Sequence, residues 1–491
     1  MRHAVLSRAT SPGRLLLLAG AFVLACSAGV ARADFTRLSA LADDGFAISA
    51  EARLLDGAEE TLGSITPDRA LTPASVTKVY MAAAALNRFG PQYRFTTRLK
   101  SEGDVDSESG VLNGDVWLEG GGDPGLTSEN LWRLVQRLHQ AGVRRINGEL
   151  VISQWRFGPV ACVTTDRCEA RTRVDNAYSA PLSSAGVNFG SWCVNVAPAE
   201  APGEPAHITH CDGPQALTEV DNRLTTRADG SATRISAERV TGKHGDVVRV
   251  RGQIAADAWP RDVYRGASDG AAQTADTLLA MLGRFGIPLS GPPRVTTAKP
   301  PEAAETLAAV DGKPLQELLL RTLNYSNNYM ADVLALNLVE TPGAELADAG
   351  AALEAYAASL PGHGEVRLAS GSGLTPENRA TAHGINVMLE SMYHQSALFP
   401  SFVAALQSPE NGVMRFIRRG PERFQRNVML KTGTLNEPRA VRAVAGYFRT
   451  QSGRWGVFSV LVNGDRSTPY LNWSKVLEPL SGDLAEMIAD R

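Results

Sequence analysis

Lysine is scarce in this chain. Only seven of its 49 Lys and Arg residues are lysine, at 78, 100, 243, 299, 313, 431 and 475. The arginine bias points to no function, but it leaves few chances for a lysine-containing motif to arise by accident. An excess of one charge is also missing. A formal net charge of -3 over 491 residues offers no basic field for nucleic acid, and no such partner is expected. After residue 33 no apolar run is long enough to span a bilayer. No repeat at solenoid periods is visible. The eight histidines form no local pattern suggesting a Ser-His-Asp arrangement. No cofactor and no metal is expected.

The first 33 residues read as an export signal. Arg2, Arg8 and Arg14 precede the apolar run from Leu15 to Ala25, and Ala31-Arg32-Ala33 gives a small-x-small cleavage pattern. The expected mature chain starts at Asp34 and resides in the periplasm, with peripheral membrane association left open. A lipoprotein reading at Cys26 fits poorly, because Leu24 stands before Ala25-Cys26. The other four cysteines, Cys162, Cys168, Cys193 and Cys211, fall within 211 − 162 + 1 = 50 residues. An even count in an exported chain predicts two disulfides. Of the three connectivities, nearest-neighbour pairing is preferred: Cys162 with Cys168 and Cys193 with Cys211. His207 and His210 beside Cys211 keep a zinc site as the alternative.

Against this background three short motifs stand in order: Ser75-Val76-Thr77-Lys78, Ser326-Asn327-Asn328 and Lys431-Thr432-Gly433. A Ser-x-x-Lys match arises about once by chance in a chain of this size. Each motif alone has an ordinary reading: a helix cap, a polar linker, an edge-strand lysine that discourages aggregation. The ordered trio does not. Pro73 and the run Val79 to Leu86 predict a helix that places Ser75 in its first turn and Lys78 one turn on. Leu315 to Val339 reads as two helical stretches with Ser326 and Asn328 at the break. Asn427 to Leu435 reads as a strand, where Gly433 lets a ligand backbone approach and add as a further strand.

The chemistry of such a set is acyl transfer. Ser75 attacks a carbonyl once a base removes its proton. Lys78 can act as that base only when neutral, which burial and a nearby cation favour; Lys431 is the natural cation. Ser326 relays the proton to the leaving amine, and Asn328 holds Lys78 and the substrate amide. Lys431 and Thr432 bind a terminal carboxylate, and the backbone N–H groups of Ser75 and Thr434 form an oxyanion hole. One decoy, Gly266-Ala267-Ser268-Asp269-Gly270, matches a nucleophile elbow, but that motif needs a buried strand before it and Trp259 to Arg265 is polar.

The organisation is α+β. Phe46 to Leu55 and, near the other end, Ala440 to Arg449 and Trp455 to Asn463 predict an antiparallel sheet built from both chain ends, followed by a helix from Trp473 to Ala489. Between Lys78 and Ser326 lie 326 − 78 = 248 positions, too many for a loop. The expected division is 34–95 plus 305–491 for the catalytic part, and 96–304 for a β-rich nested insertion. The insertion should comprise two small subdomains carrying both disulfides, with 291–301 as the returning linker.

These motifs resemble the D-alanyl-D-alanine carboxypeptidase/endopeptidases of the class C low-molecular-mass penicillin-binding proteins, peptidase family S13. The likeness adds Gly120-Gly121-Gly122-Asp123-Pro124, Ser372-Gly373-Leu374-Thr375 and Lys431-Thr432-Gly433-Thr434-Leu435, and it spans nearly all of the mature chain. The resemblance implies a penicillin-binding-protein/serine β-lactamase-like transpeptidase fold with peptidoglycan stem peptides as substrate. It also implies β-lactams as covalent inhibitors acting on Ser75. Members commonly carry Asp where this chain has Ser370 and Ser153. If the second position meets the substrate's diaminopimelate-type side chain, the stem-peptide preference is altered. Two other readings fit the motifs less well: a β-lactamase or esterase of the same superfamily, and a catalytically inactive wall-binding scaffold.

Overall fold

The computed structural model describes residues 34–56, 60–211, 219–243 and 245–489. The expected export signal, with Cys26, lies outside the described residues.

The α+β expectation holds. Five strands form one antiparallel sheet in the order Val428–Leu435, Val441–Arg449, Trp455–Asn463, Ala47–Leu54, Glu60–Ile65. Chain ends therefore pair directly: Ala47 faces Asn463 and Leu54 faces Gly456. The strand Val441–Arg449, second in this order, is buried over all but its last residue. Its alternate side chains enter two cores. Ala443, Ala445 and Tyr447 pack with the Thr77–Phe89 helix on one face. Val444 and Phe448 pack with Leu477, Leu480 and Leu484 of the Trp473–Ala489 helix on the other. The Thr77–Phe89 helix is buried at every position from Thr77 to Leu86. Its run of four alanines, Ala82 to Ala85, lets neighbouring elements approach the backbone closely.

A second five-stranded sheet has the order Arg294–Thr296, Leu150–Ser153, Val116–Glu119, Thr96–Ser101, Glu305–Asp311. Its apolar face is covered by the helices Ser128–Gln140 and Gly270–Arg284. Two expectations shift here. Residues 291–301 are more than a linker, because Arg294–Thr296 pairs with Val151 to Ser153. A boundary at 304/305 would cut this sheet, since Glu305–Asp311 is hydrogen-bonded to Thr96–Ser101. This sheet thus runs on to Asp311.

Two smaller sheets, of three and four strands, share a further core around Trp192, Val194, Leu224, Val248 and Val250. Both disulfides form with nearest-neighbour connectivity, Cys162–Cys168 and Cys193–Cys211. The Cys211 sulfur is consequently not a thiolate available to zinc. The decoy serine, Ser268, does follow a strand, Arg261–Gly266, but a largely exposed one at a sheet edge. Its turn serves as a helix cap, with Asp269 accepting from the Ala271 and Ala272 N–H groups.

Candidate active site

Ser75 is partly exposed in a stretch, 71–80, that is otherwise buried. Residues Ala74–Val76 form a 3-10 turn that runs straight into the Thr77–Phe89 helix. Ala74 just before the serine has φ +46°, and Ser326 has φ +52°. Left-handed backbone at a non-glycine residue costs on the order of 1 kcal/mol or more and persists where the surroundings impose it. Both strained residues present or adjoin a hydroxyl of the site.

The Lys78 amine lies 2.9 Å from Ser75 Oγ, 2.8 Å from Asn328 Oδ1 and 2.6 Å from the Ser372 carbonyl oxygen. The last two atoms can only accept. A neutral amine gives them its two N–H groups and turns its lone pair to the Ser75 hydroxyl. The Asn328 amide is oriented for this by donating through Nδ2 to the Tyr178 carbonyl at 3.2 Å. Asn328 opens the Asn328–Asn337 helix, and Ser326 sits in the break after Leu315–Asn324.

Lys431 donates to Ser326 Oγ at 2.9 Å and to the Thr432 carbonyl at 2.6 Å. Both lysines are fully buried. Burial holds the Lys78 amine well below the ordinary lysine range, and the Lys431 charge pushes it further down. Burial alone brings Lys431 to about 7.

The structure thus brings Ser75, Lys78 and Asn328 into one hydrogen-bonded group and Lys431, Ser326 and Thr432 into a second. Thr434 follows on the same edge strand, Val428–Leu435, and is exposed.

Gly433 has a different neighbour from the one expected. A Cβ there would stand 2.5 Å from the Pro73 carbonyl oxygen and 3.0 Å from the Ser75 and Val76 nitrogens. The close backbone it admits is the nucleophile turn itself rather than a ligand.

Two participants, Asp332 and Arg167, escaped the sequence reading, and two more, Ser372 and Gly373, entered it only as part of a family segment, without a role. Ser372 supplies the carbonyl on Lys78, and Gly373 packs against the nucleophile turn. Asp332 accepts from the Ser372 N–H at 2.7 Å, and Arg167 donates to Asp332 at 2.5 Å. Asp332 left a usable signal, a lone acid in the apolar run Met330 to Leu336, one turn after Asn328. Arg167 left none.

Ser370 and Ser153 are both buried. Ser370 Oγ accepts from the Gly373 N–H at 3.1 Å and so caps the Ser370–Gly373 turn, which an aspartate could also do. Ser153 donates to the Ala298 carbonyl at 2.6 Å and is fully enclosed, so it cannot meet a substrate side chain. Contrary to the expectation, residue 153 gives the protein no direct means of altering its stem-peptide preference.

The profile of the D-Ala-D-Ala carboxypeptidase 3 (S13) family matches residues 54–476. A D-alanyl-D-alanine carboxypeptidase of Actinomadura sp. (strain R39) is 30% identical over 471 residues, covering 90% of this chain and 84% of that protein. The D-alanyl-D-alanine carboxypeptidase DacB of Haemophilus influenzae is 25% identical over 406 residues, 80% of each chain. The crystal structure of penicillin binding protein 4 (dacB) from H. influenzae superposes with a TM-score of 0.74 at 22% identity, over 92% of this chain and 99% of that one. A profile match over most of the length, carried by a site in which two buried lysines address two serines, has one reading: this chain is a member of the D-Ala-D-Ala carboxypeptidase 3 (S13) family.

Proposed function

We propose that this protein is a periplasmic serine DD-peptidase that cleaves D-Ala-D-Ala bonds in peptidoglycan stem peptides, as a carboxypeptidase and as an endopeptidase on cross-links. The observation that carries this reading is the Lys78 amine, buried, 2.9 Å from Ser75 Oγ, with its other two partners able only to accept.

In this reading Ser75 Oγ attacks the carbonyl carbon of the penultimate D-Ala while Lys78 takes the hydroxyl proton. The backbone N–H groups of Ser75 and Thr434 hold the oxyanion. The tetrahedral intermediate collapses, and the leaving amine receives a proton through Ser326, which Lys431 orients. Water then releases the acyl group from Ser75. Lys431 and Thr432 receive the terminal carboxylate, Asn328 the stem-peptide amide, and the edge of Val428–Leu435 beyond Leu430, which Gln407 already pairs, the peptide backbone as an added strand. Gly433 contributes by letting that strand press against the serine turn. A β-lactam presents a strained amide to the same serine and acylates it.

The deciding experiment incubates the purified protein with a D-Ala-D-Ala-terminated pentapeptide and, separately, with a fluorescent penicillin. Released D-Ala and a long-lived adduct on wild type, both absent from Ser75→Ala, are the expected results. Adduct on Ser75→Ala overturns the assignment. Rapid release of the penicilloyl group, without D-Ala release, replaces it with a β-lactamase.

A further inference from the structure

A buried ion pair reaches the site from the insertion. Asp332 is fully enclosed and Arg167 is 3% exposed. A carboxylate removed from water needs partners for both oxygens. Asp332 has them: Oδ1 takes the Ser372 N–H at 2.7 Å and Oδ2 takes Arg167 Nη2 at 2.5 Å. The next atoms along the chain matter most. The carbonyl of Ser372 is the one that meets the Lys78 amine at 2.6 Å. Arg167 lies in the five-residue helix Thr165–Glu169, and the Cys162–Cys168 disulfide closes a loop around that helix.

We propose that Arg167 is a positioning residue for the base: acting through Asp332 and the backbone of Ser372, it holds the acceptor carbonyl against the Lys78 amine from a disulfide-closed loop of the insertion. The proposal rests on Lys78 being the base that activates Ser75.

The electrostatics run the same way as the geometry. The charged groups that act on Lys78 are Lys431, Asp332 and Arg167. Asp332 alone favours the ammonium form, which cannot accept the serine proton. The Arg167 guanidinium opposes it and keeps the amine available. The other charged side chains beside Arg167, those of Asp166, Glu169 and Arg171, are exposed, so solvent screens them. A pair kept only for packing would need neither this path nor this sign.

The test measures the rate of Ser75 acylation by a fluorescent penicillin from pH 6 to pH 10, with a melting curve for each variant. Arg167→Gln leaves the Asp332 charge uncompensated, so the limb set by Lys78 should move up by about one unit, a loss approaching about tenfold on the acid side of the limb and little on its alkaline side. Arg167→Lys should recover most of the rate. Asp332→Asn leaves Arg167 uncompensated and should move the limb down, which keeps the test decisive if Arg167→Gln does not fold. The double variant Arg167→Gln/Asp332→Asn should return the limb to its wild-type position. A wild-type limb in both single variants, with only a uniform loss that follows the melting temperature, overturns the positioning role. If instead Lys78→Ala is acylated at the wild-type rate, the base assignment falls, and this proposal with it.

Discussion

Gly373 and Gly433 grip the nucleophile turn from two sides. A Cβ at 373 would stand 1.9 Å from the Ala74 carbonyl oxygen, just as one at 433 would press on Pro73. Both glycines also come within 3.0 Å of the Ser75 nitrogen by the same construction. Backbone cannot retreat as a flexible side chain does, so a methyl group at either position displaces Ser75 relative to Lys78. Gly433→Ala is therefore expected to slow acylation by at least about tenfold, since misplacement by a fraction of an ångström is costly to catalysis. Stopped-flow labelling with penicillin checks this, and a rate within twofold of wild type would count against the grip.

Lys431 gives a pH-dependent stability difference whose sign is fixed. Its folded value, about 7, lies below the ordinary 10.5, so between those limits the unfolded chain holds a proton the folded chain lacks. Stability from this group rises with pH across that window and is lost as pH falls toward 7. The burden at neutral pH is on the order of 4 kcal/mol. Lys431→Met should abolish activity, and its melting temperature relative to wild type should climb as pH drops from 10 to 7. Parallel melting curves at all pH values would refute the linkage.

Asp123 behaves in the opposite sense. It is buried, accepts from the Gly125 N–H at 2.8 Å, and crowds Gly312 so closely that a Cβ there would meet its Oδ2 at 2.2 Å. Burial raises its carboxyl to about 7. Folded, it keeps a proton that the unfolded chain gives up near pH 4, so its contribution is full in acid and declines as pH rises through 7. Asp123→Asn should be more stable than wild type at pH 8 and lose most of that advantage by pH 5. Calorimetry at the two pH values decides.

Ser153→Asp is expected to destabilise without changing substrate choice. The site is fully enclosed and has a carbonyl acceptor waiting, so a new carboxylate is left unpaired there, at a cost of roughly 3 kcal/mol. A variant as stable as wild type, or one with shifted preference between amidated and free diaminopimelate substrates, contradicts the burial argument.

Much of the site was legible because its chemistry comes as local words. Ser75 and Lys78 share one helix turn, Ser326 and Asn328 one helix break, and Lys431 to Thr434 one strand, so spacing alone conveys their faces. The sheet joining both chain ends was legible from runs of β-branched and aromatic residues such as Trp455 to Asn463. Residues that act through space were not. Ser372 stood in a family segment, but its role was hidden because it works by its carbonyl, which every residue has. Arg167 reaches Asp332 across 332 − 167 = 165 positions, and nothing in either neighbourhood names the other. Gly433 was singled out correctly as a place of close approach, but which backbone approaches is a tertiary fact. Ser153 was singled out from the family resemblance alone, and a resemblance does not tell whether helices and loops enclose the residue.

The edge strand bearing Lys431 joins a sheet whose other edge is laid down near residue 60. From Lys78 to Lys431 the chain runs 431 − 78 = 353 positions, so the reactive serine gains its second lysine only when roughly the last eighth of the polypeptide docks. Contacts of such long range form late. A polypeptide ending short of residue 428 lacks Lys431 and the strand that carries it, so it is expected neither to cleave a stem peptide nor to capture a penicillin.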